Sequence, residues 1–97
     1  MKLTETQINN ELQKIDDVWT IADNSLYREY TFENFIQAFS YMSAIALYAE
    51  KIDHHPDWRN VYNSVTLSLS THDEGGITEK DFALAVYADD VYNKSHT

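Results

Sequence analysis

The chain has 97 residues, 43% hydrophobic and 13% aromatic with only two glycines and one proline, which argues against disorder and predicts a single folded domain over residues 1–97. Sixteen acidic against seven basic side chains give a formal charge of -9, a surface that repels phosphate backbones and speaks against direct nucleic-acid binding. The chain has no cysteine and no apolar run of about 18 residues, and it turns polar at once after Met1, so disulfides, thiolate metal sites, a membrane span and a signal peptide are not expected and a reducing cytoplasm suits it.

Thr4-Glu5-Thr6-Gln7 has the form of a capping box, with Leu3 placed as a hydrophobic staple. Ile8, Leu12 and Ile15 follow at helical spacing, which predicts a first helix ending near Asp16. Val18-Trp19-Thr20-Ile21 and Leu26-Tyr27-Arg28-Glu29-Tyr30 read as strands joined at the turn cluster Asp23-Asn24-Ser25. A long helix is expected over residues 31 to 51, with Phe32, Phe35, Phe39, Met42, Ala46 and Ala49 as its inner stripe. Ile36, Ala38, Ile45 and Leu47 lie outside that stripe, so the helix is apolar around most of its girth. Such a helix calls for cover on two sides, and in so short a chain the second cover is expected from another copy.

Asp53-His54-His55-Pro56-Asp57 breaks the helix, because proline disfavours helical geometry in the residue before it. Trp58-Arg59-Asn60-Val61-Tyr62 reads as a third strand, turning near Asn63-Ser64. Val65, Leu67 and Leu69 alternate with Thr66, Ser68 and Ser70, a strand with one buried and one polar face. After a loop from Thr71 to Gly76, Thr78-Glu79-Lys80-Asp81 forms an acidic capping box. The last helix is expected to run to about Tyr92, with Phe82, Ala85, Val86 and Val91 inward and a polar tail beyond. The order α-β-β-α-β-β-α predicts an α+β fold: a four-stranded antiparallel sheet with helices packed on one face.

His54, His55 and His72 fall in the two loops that flank the second strand pair. If those strands pair as a hairpin, their outer ends lie side by side and the loops meet. Imidazoles give and take protons near neutrality, so a clustered set suits acid–base chemistry. Glu50, Asp53, Asp57 and Asp73 stand near enough in sequence to fix tautomers, and Trp58 offers a flat face for a planar ring. No serine sits in a nucleophile-elbow context and no Gly-rich phosphate loop appears. The plainer readings are a surface loop for His54 and His55, a polar turn for His72, core packing for Trp58 and a helix cap for Asp81. His96, in the tail, carries no role in this reading. Zinc is disfavoured, because adjacent histidines diverge and no HExxH spacing occurs.

The runs Glu50-Lys51-Ile52-Asp53-His54-His55-Pro56-Asp57-Trp58, Asn60-Val61-Tyr62-Asn63, Leu69-Ser70-Thr71-His72-Asp73 and Gly76-Ile77-Thr78 with Asp81 closely resemble the signature of the pterin-4a-carbinolamine dehydratases. Trp19 and the Phe32, Phe35, Ala38, Phe39 pattern are similar to that family as well, so the likeness spans nearly the whole chain. It implies loss of water from a 4a-hydroxytetrahydropterin to give quinonoid dihydropterin, with no metal or organic cofactor. It also implies a homodimer or homotetramer. By resemblance His54, His55 and His72 match the family's essential histidines, with His55 and His72 as the proton-exchanging pair and His54 positioning the substrate. Asp53, Ser70, Thr71 and Asp73 match positions that line the pterin, with Trp58 packed against it. Glu74 stands where animal members commonly carry cysteine, and Lys80 replaces a frequent arginine. Some animal relatives serve as dimerisation cofactors for a transcription factor, so a non-catalytic assembly protein on the same scaffold is the alternative.

Overall fold

A computed structural model describes residues 1–95; His96 lies outside the described residues. Its elements are α1 (Glu5–Leu12), β1 (Thr20–Ala22), β2 (Ser25–Thr31), α2 (Phe35–Ile52), β3 (Asp57–Val61), β4 (Ser64–Leu69), a 3₁₀ turn (His72–Glu74) and α3 (Glu79–Ser95). The four strands form one antiparallel sheet in the order β1-β2-β4-β3. Leu26, Tyr30, Val65, Leu67 and Leu69 point to the buried face, where α2 and α3 cover them. Tyr27, Glu29, Arg59 and Val61 occupy the open face. The alternation along β4 follows from the period of two in an extended chain.

The capping box on α1 forms reciprocally: Thr4 Oγ1 accepts from the Gln7 N–H at 3.2 Å, and Gln7 Oε1 accepts from the Thr4 N–H at 2.9 Å. The helix stops at Leu12 rather than near Asp16. Bonds from Lys14 N–H to Glu11 O and from Ile15 N–H to Leu12 O tighten the chain into turns, which deliver Trp19 to the core. Strand β1 therefore starts at Thr20, two residues later than the β-prone run, with Val18 exposed and Trp19 buried. At the tip of the first hairpin, Asp23 and Asn24 have φ of 50° and 62°, the consecutive left-handed pair of a two-residue turn.

Helix α2 begins at Phe35, not at Thr31. Thr31 stays in β2, Phe32 is buried in the core, and Asn34 Oδ1 caps the helix by accepting from the Gln37 N–H at 2.9 Å. Its inner face is rotated from the expected stripe: Ala49 is buried as expected, but Phe35, Phe39 and Ala46 are exposed, and Ala38, Tyr41 and Ile45 are buried in their place, while Ile36 and Leu47 stay outside as expected. Tyr41 can go inside because its hydroxyl donates to Ala88 O at 3.0 Å, and the small Ala38 and Ala49 let the sheet approach closely. On α3 the buried set is Phe82, Leu84, Ala85 and Ala88. Val86 points outward, and the helix continues past Tyr92 to Ser95.

A buried polar cluster lies between the sheet and α3. Asp89 accepts from Trp19 Nε1 at 2.8 Å, from the Tyr30 hydroxyl at 2.6 Å and from Arg28 at 2.7 Å. The Arg28 guanidinium also sits over the Tyr30 ring, 4.3 Å from its centroid. Burial, reinforced by the neighbouring Tyr41 and Asp89, holds the Tyr30 hydroxyl far above the usual phenol range, so it remains a donor.

Candidate active site

Helix α2 ends in a Schellman turn. Asp53 adopts the left-handed conformation (φ 53°), its N–H donates to Glu50 O, and the His54 N–H reaches back to Ala49 O at 3.0 Å. The helix thus stops three residues before Pro56, which only prevents its resumption. Aspartate tolerates the left-handed region better than most residues, so Asp53 has a structural task. That turn sends His54 inward and His55 outward.

His54 is buried, and its Nε2 lies 2.6 Å from Asp81 Oδ1 on the first turn of α3. Asp81 is fully buried, and its Oδ2 accepts from the Thr71 hydroxyl at 2.9 Å and from the Thr78 N–H at 2.8 Å. A carboxylate only accepts, so the His54 proton sits on Nε2 and Nδ1 is the nitrogen left over. The Thr71 hydrogen is spent on Asp81, so in the 2.7 Å Thr71–Thr78 contact the Thr78 hydroxyl donates. Thr78 Oγ1 in turn accepts from the Lys80 N–H at 3.3 Å. Asp81 caps α3, as its position predicts. It also ties the turn after α2 to the loop after β4.

The second strand pair forms the expected hairpin, with Asp57 opposite Ser68, so its outer ends do lie side by side. His72 follows in the 3₁₀ turn, exposed, with Gly75 (φ 74°) closing the turn where a side chain would be strained. His72 lines a cavity of about 500 Å³ together with Asn24, Tyr27, Asp57, Ser70 and Thr71. His54 and His55 stand outside that cavity. His55 is exposed, its Nε2 2.7 Å from Glu50 Oε1 one turn back on α2. Trp58 is half-buried on the edge strand, packed against the core and flanking a smaller hollow with Tyr27, Asp57 and Ser68. Asp73 and Thr71 line a third cavity, about 490 Å³, beside Lys2 and Lys80. Glu74 pairs with the Met1 ammonium at 2.7 Å, which lowers its carboxyl below the usual range. Among the described residues no three His, Asp or Glu side chains converge as a metal set would.

Of the predicted partners for the histidines, Glu50 holds His55, whereas His54 is held by Asp81 rather than by Asp53, Asp57 or Asp73. Asn24 and Tyr27 were missed as lining residues, since nothing in sequence ties the first hairpin to the histidine loops.

Residues 1–91 match the family described as Pterin 4 alpha carbinolamine dehydratase. The chain belongs to the pterin-4a-carbinolamine dehydratase family. The family is one of hydro-lyases. A family protein of Solibacter usitatus is 50% identical over 88 residues, covering 91% of this chain and 92% of that one. One of Christiangramia forsetii is 46% identical over 95 residues, covering 98% and 97%. The crystal structure of a transcriptional coactivator/pterin dehydratase from Brucella melitensis superposes with a TM-score of 0.91 at 40% identity, over 95% of this chain and 99% of that chain. In this pterin-4a-carbinolamine dehydratase fold the three helices and the four-stranded sheet follow the order read from sequence. No helix among the described residues is long and apolar enough to cross a membrane.

Proposed function

We propose that this protein removes water from a 4a-hydroxytetrahydropterin to give quinonoid dihydropterin, by proton transfer through His55 and His72. This reading is supported by the family match over residues 1–91 and by the Asp81 carboxylate, which ties the His54 loop to Thr71 beside His72; His55, outside the cavity that His72 lines, enters it on the family resemblance alone. One imidazolium protonates the 4a-hydroxyl, the C4a–O bond breaks and water leaves. A neutral imidazole takes the proton from the ring nitrogen as the C=N bond forms. The substrate loses one water and no net proton, and the two imidazoles, left with exchanged protonation states, are reset by proton exchange with solvent. His54, fixed through Nε2, positions the substrate, and Asp53, Ser70, Thr71, Asp73 and Trp58 contribute to the pterin-binding surface. The reaction regenerates the dihydropterin form of a hydroxylase cofactor, in the cytoplasm. The direct test is stopped-flow mixing of purified protein with a 4a-hydroxytetrahydropterin generated in place. A dehydration rate equal to the uncatalysed one would end this reading.

We further propose that the working form is a homodimer or homotetramer. The support is the outer face of α2, where Ile36 and Leu47 are each 75% exposed and Phe35 and Phe39 stand close by with ring centroids 6.0 Å apart. Apolar surface of this kind favours burial against a second copy. Leu47→Glu together with Ile36→Glu should lower the mass measured by light scattering without unfolding the chain. An unchanged mass rules out α2 as the contact. The same face favours the second reading, a non-catalytic assembly protein, which predicts that histidine substitutions leave function intact.

A further inference from the structure

We propose that Asn24, at the tip of the β1–β2 hairpin, is a positioning residue that helps hold the His72 loop in place by a hydrogen bond to Gly75 at the wall of the cavity. Asn24 Nδ2 donates to Gly75 O at 3.0 Å, linking residues 51 apart in the chain. The acceptor is a backbone carbonyl, so the amide nitrogen must be the atom that faces it. Gly75 closes the 3₁₀ turn on His72: its N–H donates to His72 O at 3.1 Å, and the Gly76 N–H donates to Thr71 O at 3.3 Å. A Cβ built on Gly76 would lie 3.3 Å from Asn24 Nδ2, so hairpin tip and loop are already in close contact there. The 3₁₀ turn has no side-chain cap at Thr71; a Thr71–Gly76 bridge closes its base and Met1 pairs with Glu74 on its side, and the Asn24 bond adds a tie from the turn to the first hairpin. Asn24 and His72 line the same cavity, and in this proposal Asn24 acts through the loop it holds.

The identity of residue 24 separates turn from tie. The left-handed φ of 62° suits asparagine, aspartate or glycine alike, but only asparagine among them can donate to Gly75 O. This inference rests on the dehydratase reading, and the experiment tells the two apart. Asn24→Asp keeps the turn and replaces the donor by a carboxylate facing a carbonyl; Asn24→Gly keeps the turn and removes the side chain. Both should lower kcat about tenfold, since small displacements of a catalytic group cost at least that much, with little change in thermal midpoint. Both should also speed hydrogen exchange at the Gly75 and Gly76 amides more than elsewhere. An unchanged kcat, or a loss that only follows global destabilisation without selective exchange at those two amides, overturns the proposal. If the unmodified protein proves inactive, the dehydratase reading falls, and exchange at Gly75 and Gly76 still decides whether the tie exists.

Discussion

Alanine in place of His72 should slow dehydration by a factor of about 10² to 10⁴, the usual contribution of one general acid or base. His72 is exposed on a three-residue turn, so its removal disturbs little packing and folding stability should move by no more than about 0.5 kcal/mol. That contrast makes the result interpretable: activity collapses while the denaturant midpoint stays. His54 behaves differently, being buried against Asp81, so His54→Ala should lose stability and activity together. The leftover carboxylate would then sit without its principal partner in a fully buried position. His55, bonded only to an exposed glutamate, should resemble His72 in losing rate and keeping stability. Pre-steady-state rates on a 4a-hydroxytetrahydropterin, beside urea titrations of the same variants, provide the comparison. A His72→Ala rate within about twofold of the unmodified protein would remove this residue from the chemistry.

Asp89→Ala should destabilise the fold by about 3–5 kcal/mol, the range expected when one partner of a buried ion pair is removed. The carboxylate gathers Trp19 Nε1, the Tyr30 hydroxyl and the Arg28 guanidinium within 2.6 to 2.8 Å. Without it, Arg28 retains only the partly exposed Asp16 carboxylate at 3.6 Å, while its Nε is already buried with no partner among the described residues. Two further donors, on Trp19 and Tyr30, lose their acceptor in the core. Asp89→Asn keeps one acceptor oxygen and the side-chain shape but no charge, so it should cost less than alanine. Urea midpoints at a fixed protein concentration measure both, because association adds to apparent stability. A loss below about 1 kcal/mol for the alanine variant would mean that water or rearranged neighbours replace the carboxylate.

The strands and helices were legible to different depths. The period of two in Val65, Leu67 and Leu69 read correctly because a strand's faces alternate whatever packs against them. The cap at Thr4 also read correctly, since its bonds join residues three apart, whereas the box expected at Thr78 and Asp81 forms only by half: Asp81 accepts from the Thr78 N–H, but Thr78 Oγ1 accepts from the Lys80 N–H. The inner faces of α2 and α3 were read with errors. The expected α2 stripe placed Phe39 inward, yet Tyr41 is buried with its hydroxyl satisfied on α3, and Phe39 is left outside. Val86 was placed inward for the same reason, that apolarity alone does not say which of several apolar faces meets the sheet.

Sequence alone determined the order of elements, the antiparallel pairing of the second hairpin and the family, because capping, periodicity and motif spacing act over a few residues. Tertiary structure alone decided that Asp81 serves His54, 27 residues away, and that Asp89 serves Trp19, 70 residues away. It also decided which of the three histidines lines a cavity, and that the first hairpin supplies a wall to it. A buried carboxylate draws its partners from whatever donors packing brings within about 3 Å, and no local pattern records those distances.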